Sequence, residues 1–135
     1  MKKVYIAGKL WNDNDKAILE KVDKLVQSLG FKTYLPHRDM GLFEEWMNSS
    51  EFFKRDRDEI DDCSVMVAVL DWKGIGSGTA WEIGYAHAKN IPVIGLIEDW
   101  SSINKDERVC VMCLNSVILV ESLDNLNKKL KKLIN

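Results

Sequence analysis

No stretch of this 135-residue chain is apolar for long enough to span a bilayer. The apolar run near the start, Val4-Tyr5-Ile6-Ala7 behind Met1-Lys2-Lys3, stops at Gly8-Lys9, too soon for the hydrophobic region of a secretory signal. Both shortfalls argue against a membrane partner and lead us to expect a cytoplasmic protein. Cysteine is scarce and odd in number, with Cys63, Cys110 and Cys113 alone, so a disulfide framework is not expected. Cys110 and Cys113 form a C-x-x-C, but no second pair and no nearby histidine completes a four-ligand zinc set. Flanked by Val109, Val111, Met112 and Leu114, both read as small apolar residues. No His, Glu and Asp cluster has metal-ligand spacing, and no metal or other cofactor is called for. A net charge of -2 supplies no basic field for a nucleic-acid backbone, which disfavours polymer binding.

What is present is a composition of 46% hydrophobic and 30% charged residues, that of a globular protein. The length suits one domain over residues 1–135, with no repeat, low-complexity tract or linker to divide it. Apolar runs of strand type alternate with segments of helical period. Strands are expected at Val4 to Ala7, Phe31 to Leu35, Val65 to Leu70, Pro92 to Ile97 and Val117 to Val120. A helix capped by Asn12 or Asp13 carries Ile18, Val22, Leu25, Val26 and Leu29 on one face. Phe43 to Ile60 is expected to be helical in its second half, a further helix starts near Thr79, and the last carries Leu123, Leu126, Leu130, Leu133 and Ile134 inward. Continuously apolar strands joined by helices imply a five-stranded parallel sheet covered on both faces, in an α/β, doubly wound arrangement.

In such sheets ligands bind beyond the carboxyl ends of the strands. Those ends carry Gly8-Lys9-Leu10-Trp11, Pro36-His37-Arg38-Asp39, Asp71 to Gly78, and Glu98-Asp99-Trp100. Gly74, Gly76 and Gly78 let the backbone approach a ligand, and Trp11, Trp72, Trp81 and Trp100 offer flat rings for a planar one, or else plug the rim of the sheet. Glu82 follows the glycine-rich loop. A carboxylate in the first turn of a helix feels the positive end of the helix dipole, so Glu82 is expected to stay ionised even where a pocket strips water from it. Such a group can attack an electrophilic carbon. Thr79-Ala80-Trp81-Glu82 also fits the S/T-x-x-E capping box, in which the glutamate does no more than cap its own helix. Spacing alone favours the capping role, because capping boxes are commoner than nucleophilic carboxylates, and only other residues can shift that balance.

Several segments carry a resemblance when taken in order. They are Val4-Tyr5-Ile6-Ala7-Gly8, Tyr34-Leu35-Pro36-His37-Arg38-Asp39, Arg55-Asp56 on the helix before the third strand, and above all Gly78-Thr79-Ala80-Trp81-Glu82-Ile83-Gly84-Tyr85-Ala86. Through them nearly the whole chain resembles the nucleoside 2-deoxyribosyltransferase family, which includes 2'-deoxynucleoside 5'-phosphate N-hydrolases. The resemblance implies a flavodoxin-like domain that assembles into a homodimer or a higher homo-oligomer. It implies a small-molecule deoxynucleoside or deoxynucleotide and a nucleobase as partners, with no cofactor. It also implies that Glu82 attacks C1' to form a deoxyribosyl-enzyme ester, that Asp56 assists protonation of the leaving base or binds the sugar, and that Tyr5 orients the glutamate. His37 falls where relatives meet the base or its surroundings, and Gly8, Lys9, Trp11, Gly76, Ser77 and Gly78 fall in the substrate loops. The chain departs from the pattern at Gly76, where many transferases carry aspartate and phosphate-using hydrolases serine, with Ser77 one place off. Lys9 and Trp11 stand where those hydrolases place serine and arginine, and Lys9 can meet a phosphate as a point charge.

By itself Asp56 lies in the alternating-charge run Lys54 to Glu59, ordinarily a solvated face. The departure at Gly76, and Cys110 near where transferases supply an asparagine from the neighbouring subunit, motivate a second reading of the resemblance, a non-catalytic nucleotide-binding domain. Flavin-based electron transfer would follow from fold class alone, which does not carry function.

Overall fold

The computed structural model describes residues 2–44, 48–70, 75–98 and 110–134. Its elements in chain order are β1 (Lys3–Ala7), α1 (Asp13–Ser28), β2 (Lys32–Tyr34), α2 (Pro36–Asp39), α3 (Ser49–Asp62), β3 (Val65–Val69), α4 (Ser77–Ala88), β4 (Val93–Leu96), α5 (Val111–Asn115), β5 (Ile118–Val120) and α6 (Leu123–Ile134). The strands form one parallel sheet in the order β2-β1-β3-β4-β5, the flavodoxin-like arrangement. In this order the chain reverses its direction of travel at β1 and β3, which opens a crevice at their carboxyl ends.

Side-chain alternation along β1 divides the interior in two. Val4 and Ile6 face one side, where they pack with Leu19, Val22 and Val26 of α1 and Leu126 and Leu130 of α6. Tyr5 and Ala7 face the other side, among Tyr34, Ile60 of α3, Met66, Ala68, and Ile83 and Ala86 of α4. Both clusters are closed to water, with Val4, Tyr5 and Ile6 fully buried, so their burial is the main apolar contribution to stability. The helix α1 begins as expected from its cap, the Asn12 side chain accepting from the Asp15 N–H at 2.9 Å. The α3 helix is likewise capped by Asn48. Among the described residues no helix is long and apolar enough to cross a membrane.

The strands fall where their apolar runs place them, each within a residue or two of the expected limits. The helix after the glycine-rich loop differs: it starts at Ser77 with Gly76 as its N-cap, two residues before Thr79. Thr79 therefore sits in the first turn, buried, and Glu82 in the second. In α1 the residue that reaches the centre of the core is Leu19, while Ile18 is only half-buried.

Gly95 in β4 has no room for a side chain. A Cβ there would stand 2.8 Å from Leu70 Cδ1 and 2.8 Å from Val117 Cγ2, and the valine has little rotamer freedom to yield. We expect Gly95→Ala to cost about 1–3 kcal/mol by overpacking. The check is thermal denaturation by circular dichroism, where an unchanged Tm would contradict this packing.

Candidate active site

The site grows from the pairing of β1 with its neighbours. In the parallel register Tyr5 stands opposite Tyr34 of β2 and opposite Met66 of β3, so the two tyrosines project to the same face. Their rings stack with centroids 5.3 Å apart. Over that face lie α3 and α4, which bring Asp56 and Glu82 down onto the two phenols. The Tyr5 hydroxyl donates to Glu82 Oε2, and the Tyr34 hydroxyl donates to Asp56 Oδ1 at 2.8 Å.

This geometry decides the ambiguity of the Thr79-Ala80-Trp81-Glu82 segment. A capping box needs Thr79 at the N-cap, but Gly76 holds that place and has no side chain to cap with. Glu82 instead bonds across the fold to Tyr5, 77 residues away. The expectation that Glu82 stays ionised is corrected. Enclosure by protein raises its pKa from 4.5 to about 7, with a lesser contribution from the charge of Asp56, against the lowering by the Tyr5 hydrogen bond. Lying in the second turn, it is beyond the reach of most of the helix dipole. Asp56 is raised too, mainly by burial and also by Glu59, while Tyr34 and Arg55 oppose the shift. It is half-buried, unlike the solvated face its charge pattern suggested.

A cleft of about 290 Å³ opens between the strand ends, lined by Gly8, Lys9, Trp11, Gly76, Ser77, Gly78, Asp56 and Glu82 among others. It adjoins a second hollow of about 480 Å³ between α3 and α4 that shares Asp56 and Glu82 and is walled by Phe43, Phe52, Phe53 and Trp81. Trp81 stacks on Tyr85 at 5.1 Å and meets Phe53 edge-on at 5.2 Å. One side of the combined space is polar and acidic, the other aromatic. That suits a sugar joined to a flat ring.

The first loop is held by a residue that sequence reasoning missed. Asp15 in the first turn of α1 is buried, pairs with Lys9 Nζ at 3.3 Å and accepts from the Trp11 N–H at 3.0 Å. The Lys9 ammonium also lies 4.5 Å from the Trp11 ring centre. Gly8 allows α1 this close, since a Cβ there would come within 2.6 Å of Leu19 Cδ2. His37 is not among the residues lining the cleft. Pro36 opens α2, and the His37 Nε2 lies 3.2 Å from Glu20 of α1. Its neighbours Arg38 and Asp39 are structural: Arg38 pairs with Asp23 at 2.8 Å and Asp39 at 2.7 Å, and Asp39 accepts from the Leu35 N–H at 2.9 Å. Asp71, Trp72, Gly74, Asp99 and Trp100, which the sequence placed on the same rim, lie outside the described residues. Of the C-x-x-C pair, Cys113 is buried as expected, whereas Cys110 is exposed at the N-cap of α5. Among the described residues no group of three or more His, Cys, Asp and Glu is arranged to hold a metal ion.

Comparison with known proteins gives this geometry a context. Residues 4–127 match the family model described as nucleoside 2-deoxyribosyltransferase. A conserved protein from Enterococcus faecalis V583 superposes with a TM-score of 0.85 at 23% identity, covering 98% of each chain. A 2-deoxyribosyltransferase from Bacillus psychrosaccharolyticus gives 0.75 at 20% identity, over 93% of this chain and 90% of that one. The CMP N-glycosidase of Clostridium botulinum gives 0.63 at 20% identity, over 97% and 98%. At such identities the superpositions carry the fold and not the reaction. No curated protein sequence matches this chain.

The raised pKa of Glu82 has a consequence for stability. The folded protein binds a proton at Glu82 more tightly than the unfolded chain does, so that contribution is complete below pH 4.5 and is lost as pH rises through about 7. Glu82→Gln should abolish the loss. Relative to wild type it should gain about 1–3 kcal/mol of stability between pH 5 and pH 8, a range that allows for partial solvent access. Urea unfolding of both proteins at the two pH values measures this, and identical pH dependence in the two would refute it.

Proposed function

We propose that the chain, which belongs to the nucleoside 2-deoxyribosyltransferase family through the match over residues 4–127, breaks or transfers the N-glycosidic bond of a 2'-deoxynucleoside with Glu82 as the nucleophile. The observation that carries this reading is the Tyr5–Glu82 hydrogen bond at the floor of a cleft that Asp56 also borders. A carboxylate with one oxygen held by a phenol has the other to offer to a sugar.

The sequence of steps is a double displacement. One oxygen of ionised Glu82 attacks C1', the C1'–N bond breaks with its electron pair going to the base, and the base leaves as it takes up a proton. Asp56 assists by supplying that proton or by holding the sugar. Its burial makes it keep a proton more readily than an ordinary aspartate. Water or a second base then attacks C1' and gives up a proton, which returns to Asp56 where that group protonated the leaving base and passes to solvent otherwise. The ester C1'–O bond breaks with its electron pair going to the carboxylate, and ionised Glu82 is restored. Positive charge gathers on the sugar in both transition states, and a preorganised carboxylate nearby lowers its cost. The tyrosine hydroxyl keeps Glu82 in place without neutralising it, since burial pushes the Tyr5 phenol far above its usual pKa and it stays protonated.

The aromatic walls at Phe43, Phe52, Phe53 and Trp81 are read as the base side of the cleft, and the first loop with Gly8, Lys9 and Trp11 together with Gly76 to Gly78 as the sugar side. Phe43, Phe53 and Trp81 leave large apolar surfaces exposed, and self-association of the chain around this mouth belongs to the same proposal.

Purified protein incubated with 2'-deoxynucleosides and their 5'-monophosphates, with and without a second free base, should release base from at least one of them. New nucleoside formed only with the second base marks a transferase, and base release without it a hydrolase. Glu82→Ala should lower kcat by about 10³-fold or more. In wild type kcat/KM should rise with pH through about 7 as Glu82 loses its proton. No base release at high enzyme concentration, or full activity in Glu82→Ala, would overturn the reading.

A further inference from the structure

We infer that Tyr34 is a positioning residue of the same site: its hydroxyl fixes which oxygen of Asp56 meets the substrate, and its ring ties that aspartate to the Tyr5–Glu82 pair. The inference rests on the reaction proposed above and goes beyond it, because Tyr34 does not line the cleft and acts through two other side chains.

The argument begins with the softness of an aspartate. The torsion that turns its carboxylate is broad and roughly two-fold, so without a partner the two oxygens trade places freely. Among the described residues the Tyr34 hydroxyl, at 2.8 Å from Oδ1, is the side-chain donor that holds Asp56. With Oδ1 taken, Oδ2 is the oxygen left for a sugar hydroxyl or for the proton of a leaving base. The donor is itself rigid. Tyr34 is only 3% exposed, it sits at the end of edge strand β2 in register with Tyr5, and its ring is stacked on the Tyr5 ring. On its outer side the Arg55 guanidinium lies 6.0 Å from the ring centre and reaches Glu59 at 3.6 Å.

Two carboxyl groups are thus each held by one phenol, and the two phenols are held by each other. A shift of either ring moves the spacing between nucleophile and aspartate. The groups that face Asp56 are Tyr34 from β2, Tyr5 from β1, Glu82 from α4, and Arg55 and Glu59 from its own helix. Burial of Asp56 favours its protonated form, and the Tyr34 and Arg55 contacts favour the ionised one. Taking away the phenol hydroxyl leaves the burial in place and removes the largest opposing contact.

The test is Tyr34→Phe, which keeps the ring stack and deletes the hydroxyl, studied alone and combined with Asp56→Asn. Carboxyl ¹³C NMR titration of the whole chain should show the Asp56 midpoint moving upward in Tyr34→Phe, a readout that needs no turnover. With substrate, kcat should fall about tenfold with KM changed by less than about twofold, and Tyr34→Phe should cost nothing more in the Asp56→Asn background. An Asp56 midpoint identical in wild type and variant overturns the inference, as does a loss that adds in full to that of Asp56→Asn. A wild-type chain without turnover overturns the reaction and leaves the NMR comparison to decide the hold of Tyr34 on Asp56. If Tyr34→Phe does not fold, Tyr34 carrying ring fluorine, whose stronger donor should move the Asp56 midpoint downward, decides it in the opposite direction.

Discussion

The hydrogen bond from Tyr5 to Glu82 is the constraint around which the site is organised. It joins the central part of the sheet to the helix behind the glycine-rich loop, and it exists because strand alternation sends Tyr5 to the face that α3 and α4 cover. A one-residue slip of β1 would send Tyr5 to the α1 and α6 side and put Val4 or Ile6 beneath the glutamate. The parallel register that prevents the slip also sets Tyr34 beside Tyr5, and so places the second carboxyl group.

Both carboxyl groups stand under opposing effects, of which burial is the largest. Burial favours the protonated form of each, the charge of Asp56 adds to this at Glu82 and that of Glu59 at Asp56, and the tyrosine hydroxyls pull toward the ionised form. For Glu82 burial wins, and its pKa rises to about 7, near the pH at which a carboxylate can act as nucleophile and still be stabilised by its surroundings. The fold tolerates this at a cost in stability at neutral pH, as sites built for chemistry commonly do.

Much of the scaffold was legible in the sequence because its signals are local. The apolar runs at Val4, Val65 and Val93 needed only their length and flanks to be read as buried strands, and the pair Asn12 and Asp13 announced its helix, of which Asn12 proved to be the cap. The same locality misled at Glu82: Thr79 and Glu82 have capping-box spacing, but the helix had already begun at Ser77, and no residue near them reports that. What Glu82 touches depends on Tyr5, which no spacing rule connects to it. The family motifs supplied Tyr5 and Asp56 as partners for Glu82, but they said nothing of the hydroxyl of Tyr34 or of Asp15, whose roles arise from strand register and from the approach of α1. His37, chosen by its place in a motif, is engaged with Glu20. Cys110 looked like its apolar neighbours and proved exposed at the N-cap of α5, as are Val111 and Met112 beside it, because an apolar run too short to show a period does not report which of its residues face the core.

The account comes down to a covalent bond between the Glu82 carboxyl and a sugar. Intact-mass spectrometry of the protein, quenched seconds after mixing with a reactive 2'-deoxynucleoside or its monophosphate, addresses that bond directly. The account predicts a mass increase of one deoxyribosyl group that peptide mapping assigns to Glu82 and that Glu82→Ala lacks. Turnover of the same substrate with no adduct at any quench time, and with the base still released by Glu82→Ala, would contradict it.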